Sequence, residues 1–192
     1  MPTFISHSLV GLAAGKACAG RKLPLRFWVL SAVCPVLADL DVAAFLVGIP
    51  YEHFFGHRGF FHSLFFAVLL GFAVAVVFFY NERFSRRWWF LSAYFSLICA
   101  THPLLDALTS GGLGIALLSP FDATRYFFAW TPIQVSPIGI RAFLSEWGLR
   151  VMLSEMLWVW LPTAVVLGGS LLLRRLLRSG SVRSSSTESG HP

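Results

Sequence analysis

From Phe60 to Tyr80 about twenty residues pass with hardly a polar side chain, the length a helix needs to cross the hydrocarbon of a bilayer. Comparable runs cover Phe27–Ile49, Trp88–Leu108 and Val151–Leu173, and a shorter, weaker one covers Phe4–Gly15. The chain is 56% hydrophobic and only 12% charged, about half the charge of an ordinary soluble domain. A lipid-embedded backbone must satisfy its own hydrogen bonds, and helices do so within each run. The expected fold is all-α, an integral membrane bundle of roughly four to five spans. Residues 1–178 form one membrane-embedded domain, and 179–192, rich in Ser and Gly, form a disordered tail that includes His191.

The cations sort by side. Lys16, Arg21, Lys22 and Arg26 form one cluster, Arg83, Arg86 and Arg87 a second, and Arg174, Arg175, Arg178 and Arg183 a third. The positive-inside rule places these clusters in the cytoplasm, with the inner (plasma) membrane as the expected location of a multi-pass chain. The net charge of +6 therefore reads as a topology signal, and nucleic acid is not an expected partner, because no basic stripe interleaved with aromatics appears. Cys18, Cys34 and Cys99 lie far apart in apolar stretches and read as small core residues. No cation precedes the first apolar run, so a cleaved signal peptide is not expected.

Against this apolar background the ionisable groups stand out. A carboxylate at mid-membrane costs about 2.5–3.5 kcal/mol on insertion scales, and histidines with aspartates are suited to holding a metal. His102 and Asp106 are four apart and share a helix face, with Pro103 between them to disturb the turn. His57 and His62 are five apart, about 140° around a regular helix, so both face one site only if Gly59 breaks the helix. Asp39 and Asp41 would point nearly opposite ways on a helix; Asp39, the deeper, is the expected ligand, and Asp41 a ligand or the partner of one. Under the orientation set by the cations, these residues, with His7 and Glu155, all fall near the non-cytoplasmic face. Independent accidents would scatter in depth. The expected metal ligands are His7, Asp39, His57, His62, His102 and Asp106; Asp41, Glu155 and Arg58 are expected in catalytic roles, Arg58 to hold an anion or mark the interface. Glu52, His53 and Asp122 read as solvated loop groups.

Gly111–Arg150 is a long connection with Phe121, Tyr126, Phe127, Phe128, Trp130 and Trp147, which suits a cap at headgroup level. A short strand or hairpin is expected over Phe127–Val135. The ligand set exceeds one tetrahedral zinc, so one ion with an outer layer of partners, or more than one ion, accounts for it. Zinc is the first choice of divalent metal, with manganese and iron open.

At these residues the chain resembles the YdjM-like family of LexA-regulated inner-membrane proteins, described as metal-dependent hydrolases. The resemblance rests on Ser6-His7-Ser8-Leu9-Val10-Gly11, Ala38-Asp39-Leu40-Asp41, His57-Arg58-Gly59-Phe60-Phe61-His62-Ser63 and His102-Pro103-Leu104-Leu105-Asp106-Ala107-Leu108-Thr109-Ser110-Gly111, continuing through Ser119-Pro120-Phe121. Ala38 stands where the family pattern has proline, and Phe61 where it has threonine or serine. The order of donors is loosely similar to zinc-dependent phospholipase C and P1-type nucleases, which implies a helical multi-zinc site acting on phosphoesters.

The reading is a membrane-bound hydrolase in which metal-activated water attacks a phosphoester or ester of a lipid-like, amphipathic substrate, with the lipid bilayer as its other partner. The rival reading is a metal-ion or proton transporter, since intramembrane Asp and His also serve relays. That rival expects ligands at several depths and an acidic cytoplasmic exit. A non-catalytic scaffold, in which the polar groups only fix helix packing, is the third reading.

Overall fold

The structure is a computed structural model that describes residues 1–18, 23–137 and 139–188; of 140 and 178–188 only the backbone is described. Arg21, Lys22, Arg178, Arg183 and His191 of the sequence argument have side chains outside this set. Among the described residues the chain is helical, with no strand. The hairpin expected over Phe127–Val135 is absent: the connection makes two isolated bridges, Thr109 with Ile133 and Ile115 with Tyr126. Prolines and glycines keep it from forming a longer ladder.

Helix α1 is Phe4–Cys18. Helix α2, Leu25–Val33, starts after Pro24 and runs without a break into a 3₁₀ segment, Cys34–Val47, with Pro35 in its first turn. Gly48, at φ 76°, ends it in the left-handed region. Helix α3, Leu64–Phe78, is capped by the Ser63 hydroxyl, which accepts from Phe66 N–H at 3.0 Å. It therefore begins later than the apolar run that foretold it, because Phe60–His62 is a separate 3₁₀ turn. Helix α4, Arg86–Ala107, is capped in the same way by Ser85; Pro103 lies inside it without ending it. A short α5, Ile140–Phe143, precedes α6, Glu146–Glu155. A π turn, Met156–Trp160, then leads into α7, Leu161–Glu188. The tail expected over 179–192 has its side chains, and 189–192 entirely, outside the described residues.

Among the described residues two helical stretches are long and apolar enough to cross a bilayer, Leu25–Val47 and Glu146–Leu177; Leu64–Phe78 is apolar but shorter. Leu157, Val165, Val166 and Leu173 stand exposed on the last of the long stretches, as expected of a surface that meets lipid.

The helices pack closely where glycine replaces a side chain. A Cβ on Gly71 of α3 would fall 2.1 Å from the Ser96 nitrogen of α4, and one on Gly11 of α1 would fall 2.0 Å from the Ser31 carbonyl of α2. An apolar core of Phe27, Phe79, Trp88, Leu91, Phe95 and Ile98 fills one half of the bundle. The polar residues gather in the other half. His7 begins α1, Asp39 and Asp41 lie late in the α2–3₁₀ stretch, His62 precedes α3, and His102 and Asp106 end α4. Because successive helices reverse direction, those positions meet at one end.

Candidate metal centre

Asp39, His62, His102 and Asp106 each offer one donor atom, all within 4.8 Å of one another. Asp39 Oδ1 stands 3.5 Å from His62 Nε2 and 3.4 Å from His102 Nε2. Asp106 Oδ2 stands 3.5 Å from His62 Nε2 and 3.9 Å from His102 Nε2. These atoms are buried and, among the described residues, none has a hydrogen-bond partner. A buried polar group left unpaired costs about 1–3 kcal/mol, so four together need a common explanation. Ligands of one tetrahedral ion with bonds of about 2.0–2.1 Å lie roughly 3.3–3.4 Å apart. The observed spacings lie just above that edge length and beyond good hydrogen-bond reach, so the donor set fits a single cation.

Local sequence explains each placement. His102 and Asp106 share a face of α4 through their spacing of four, and Pro103 leaves that face intact. Gly59 breaks the chain between His57 and His62: a Cβ there would lie 2.3 Å from the Phe54 carbonyl. Arg58 takes a left-handed conformation at φ 64°, a costly one for a non-glycine residue and a recurrent feature of functional sites. The tight 3₁₀ winding carries Asp39 and Asp41 about 120° apart rather than nearly opposite.

Asp41 does not join the four donors. Its Oδ1 pairs with His57 Nδ1 at 2.6 Å, and its Oδ2 accepts the Arg58 backbone N–H at 3.1 Å. Oδ2 also lies 2.9 Å from His62 Nδ1, without hydrogen-bond alignment. Asp41, His57 and His62 thus form a second compact group, but its spacings are hydrogen-bond lengths, too short for co-ligands at a roughly 3.3 Å edge. His57, expected among the metal ligands, is instead drawn onto Asp41. The pair supports His62 from behind, as outer carboxylates support metal-binding histidines.

His7 lies at the margin. Its Nε2 is 3.4 Å from Asp106 Oδ1, the oxygen turned away from His62 and His102, and its ring packs on His102 with centroids 4.0 Å apart. Glu155, expected as a catalytic carboxylate, is consumed by structure: Oε1 accepts Thr3 N–H at 2.6 Å, and Oε2 accepts the Thr3 hydroxyl at 2.6 Å and the Ser6 hydroxyl. Trp160 Nε1 donates to Ser6 Oγ at 2.8 Å, extending the tie between the start of α1 and the last long helix.

Arg58 is almost wholly buried. It donates from Nη1 to the Gly111 carbonyl at 2.6 Å and from Nη2 to Thr109 Oγ1 at 3.1 Å, while Nε stands 3.8 Å from Asp106 Oδ2. Thr109 escaped the sequence reading, although it follows Asp106 by three residues, the spacing of neighbours at a helix end. Arg125 also escaped it; its guanidinium donates to the His57 and Tyr51 carbonyls at 3.1 and 2.9 Å, contacts no local spacing announces. Glu52 and His53 are exposed, as expected; Asp122 is partly exposed and accepts from Thr124 N–H and the Tyr126 hydroxyl. Cys34 and Cys99 are buried free thiols and Cys18 is an exposed one.

Asp39 and Asp106 bring two carboxylates to the four-donor group, the formal charge that one divalent ion balances. Long apolar helices around a buried His/Asp donor cluster define a helical membrane protein with a candidate metal centre. The family model described as YdjM inner membrane protein matches residues 1–177, and the chain belongs to that family. Inner membrane protein YbcI of Escherichia coli (strain K12) is 37% identical over 172 residues, which is 88% of this chain and 96% of that protein. No solved structure matches the chain.

Proposed function

We propose that this chain is a multi-pass inner-membrane hydrolase that uses one divalent ion, zinc first, held by Asp39, His62, His102 and Asp106, with His7 at the edge of the same site. The observation that carries the reading is the set of donor separations between 3.4 and 3.9 Å among buried atoms that have no hydrogen-bond partner. An ion bound there would need a fifth position for water, and would then lower that water's pKa to about 7 and make hydroxide available for attack on an ester or phosphoester.

Access separates this site from a purely structural one, which is closed on all sides. Asp39 is 12% exposed and lines a cavity of about 360 Å³ bounded by Phe4, Val36, Val42 and Phe143. Its walls are mostly apolar, which supports a lipid-like substrate. Asp41 and His57 orient His62, and Glu155 anchors the first helix so that His7 and the cavity wall keep their places. The cation clusters support four to five spans with the site toward the non-cytoplasmic face. All donors lie at one end of the bundle, whereas a transporter expects them along its depth.

The test is metal analysis of protein purified in detergent, with hydrolysis of short-chain ester and phosphoester substrates followed in parallel. Wild type should carry about one ion per chain, and His102→Ala or Asp106→Ala should abolish both metal and turnover. A metal-free wild type, with function indifferent to both substitutions, would end the proposal.

A further inference from the structure

A second cavity, of about 340 Å³, opens beside the first and is lined by Tyr51, His57, Arg58, Gly112 and Trp147. The two share Met1, Ser136 and Pro137 in their walls, and the donor cluster touches both, through Asp39 on one side and the residues around His57 on the other. Their chemistry differs. The first is apolar around a single carboxylate; the second holds a buried cation.

We propose that the Arg58 cavity seats the phosphate group of the substrate, so that the substrate is an amphiphilic phosphoester rather than a neutral ester. This rests on the hydrolase reading and narrows it. Arg58 is 1% exposed, and only Nη1 and Nη2 have hydrogen-bond acceptors; Nε has none. Asp106, 3.8 Å away, does not neutralise it alone, because that carboxylate is also shared among His7, His62 and His102. Guanidinium is the side chain best matched to phosphate, through paired N–H donors.

Gly112 keeps this place open. It sits at φ +92°, and a Cβ on it would lie 2.5 Å from Arg58 Nη1 and 2.9 Å from the Tyr51 hydroxyl. The two donors therefore flank one point of backbone where no side chain fits. Burial raises the pKa of Tyr51, so its hydroxyl stays protonated and able to donate to an anion. The Arg125 guanidinium, 5.5 Å from the centre of the Tyr51 ring, sets a second positive charge beside Tyr51, outside the cavity wall. An alkyl group would lie in the apolar cavity and the phosphate against Arg58, with the scissile bond beside the donor cluster.

The experiment is calorimetric binding of hexyl phosphate, inorganic phosphate and hexanol to the full chain in detergent, zinc-loaded, with metal content measured alongside. Hexyl phosphate should bind at least about tenfold more tightly than hexanol. Arg58→Gln should weaken hexyl phosphate by about tenfold or more, and Tyr51→Phe by roughly threefold, at unchanged zinc content for Tyr51→Phe. Inorganic phosphate binding as tightly as hexyl phosphate keeps the phosphate subsite but overturns the amphiphilic substrate; weaker binding supports both. Hexyl phosphate binding unaltered in both variants, or matched by hexanol, overturns it. Should Arg58→Gln fail to fold, Tyr51→Phe decides alone. Failure to take up zinc sinks the hydrolase reading, whereas phosphate indifference in zinc-loaded protein sinks only the subsite.

Discussion

Asp39 Oδ1 and His102 Nε2 stand 3.4 Å apart, from two separate helical stretches, with no hydrogen bond to either. That spacing is the one expected of two ligands of a common ion, the ion proposed above. Their relationship fixes what the first substitutions should show.

His102→Ala or Asp39→Ala removes a donor outright. Metal affinity should fall by well over 100-fold, beyond the 10–100-fold loss that follows when only an outer partner is removed. Equilibrium dialysis against zinc, read by elemental analysis, gives the number.

Asp41→Asn should keep a full complement of metal at saturating zinc but weaken affinity by about 10–100-fold, because Asp41 holds His57 and the Arg58 backbone rather than the ion. His57→Ala should likewise retain stoichiometric metal. If either variant proves unable to bind zinc at any concentration, His57 and Asp41 are ligands after all.

Removing metal should cost stability. Asp39 and Asp106 would lose the cation proposed between them, and bound ion at 100 times its Kd contributes about 2.7 kcal/mol. Chelation should lower the thermal midpoint in detergent, and zinc should restore it. Magnesium should not, since it needs near-ideal octahedral geometry at shorter donor separations.

Glu155→Gln leaves the metal donors untouched but breaks the tie to Thr3 and Ser6. A stability loss of about 1–3 kcal/mol is expected, with zinc affinity changed by less than about tenfold. Comparable loss of metal at full stability would instead give Glu155 a direct part in the site.

Gly71→Ala tests packing away from the site. The added methyl meets the backbone of Ser96 at 2.1 Å, and backbone does not yield as a flexible side chain does. Overpacking of this kind costs about 1–3 kcal/mol, visible as faster loss of folded protein on heating at unchanged metal content.

The all-helical class, the apolar runs and the family were legible in the sequence, as was the candidate set itself. Run length reports on local backbone choices, and most of those runs fold as helices, although α3 begins after a separate 3₁₀ turn and the expected hairpin does not form. His102 with Asp106 was readable because a spacing of four is a local fact about one helix. The clustering at one level was readable too, since alternating helices bring chain-distant residues to the same end.

What tertiary structure alone decided is the division of labour among those residues. His57 and His62 look alike in sequence, yet one contacts Asp41 and the other faces Asp39 and Asp106, because Gly59 and the left-handed Arg58 turn the chain between them. Glu155 resembled a catalytic carboxylate until Thr3 and Ser6, some 150 residues earlier, took up its oxygens. Arg125 joined the surroundings of the site through contacts with the His57 and Tyr51 carbonyls that no local pattern encodes. Donor geometry depends on differences of an ångström or less between chain-distant atoms. Such differences are set by how helices pack against one another and not by the preferences of any one segment.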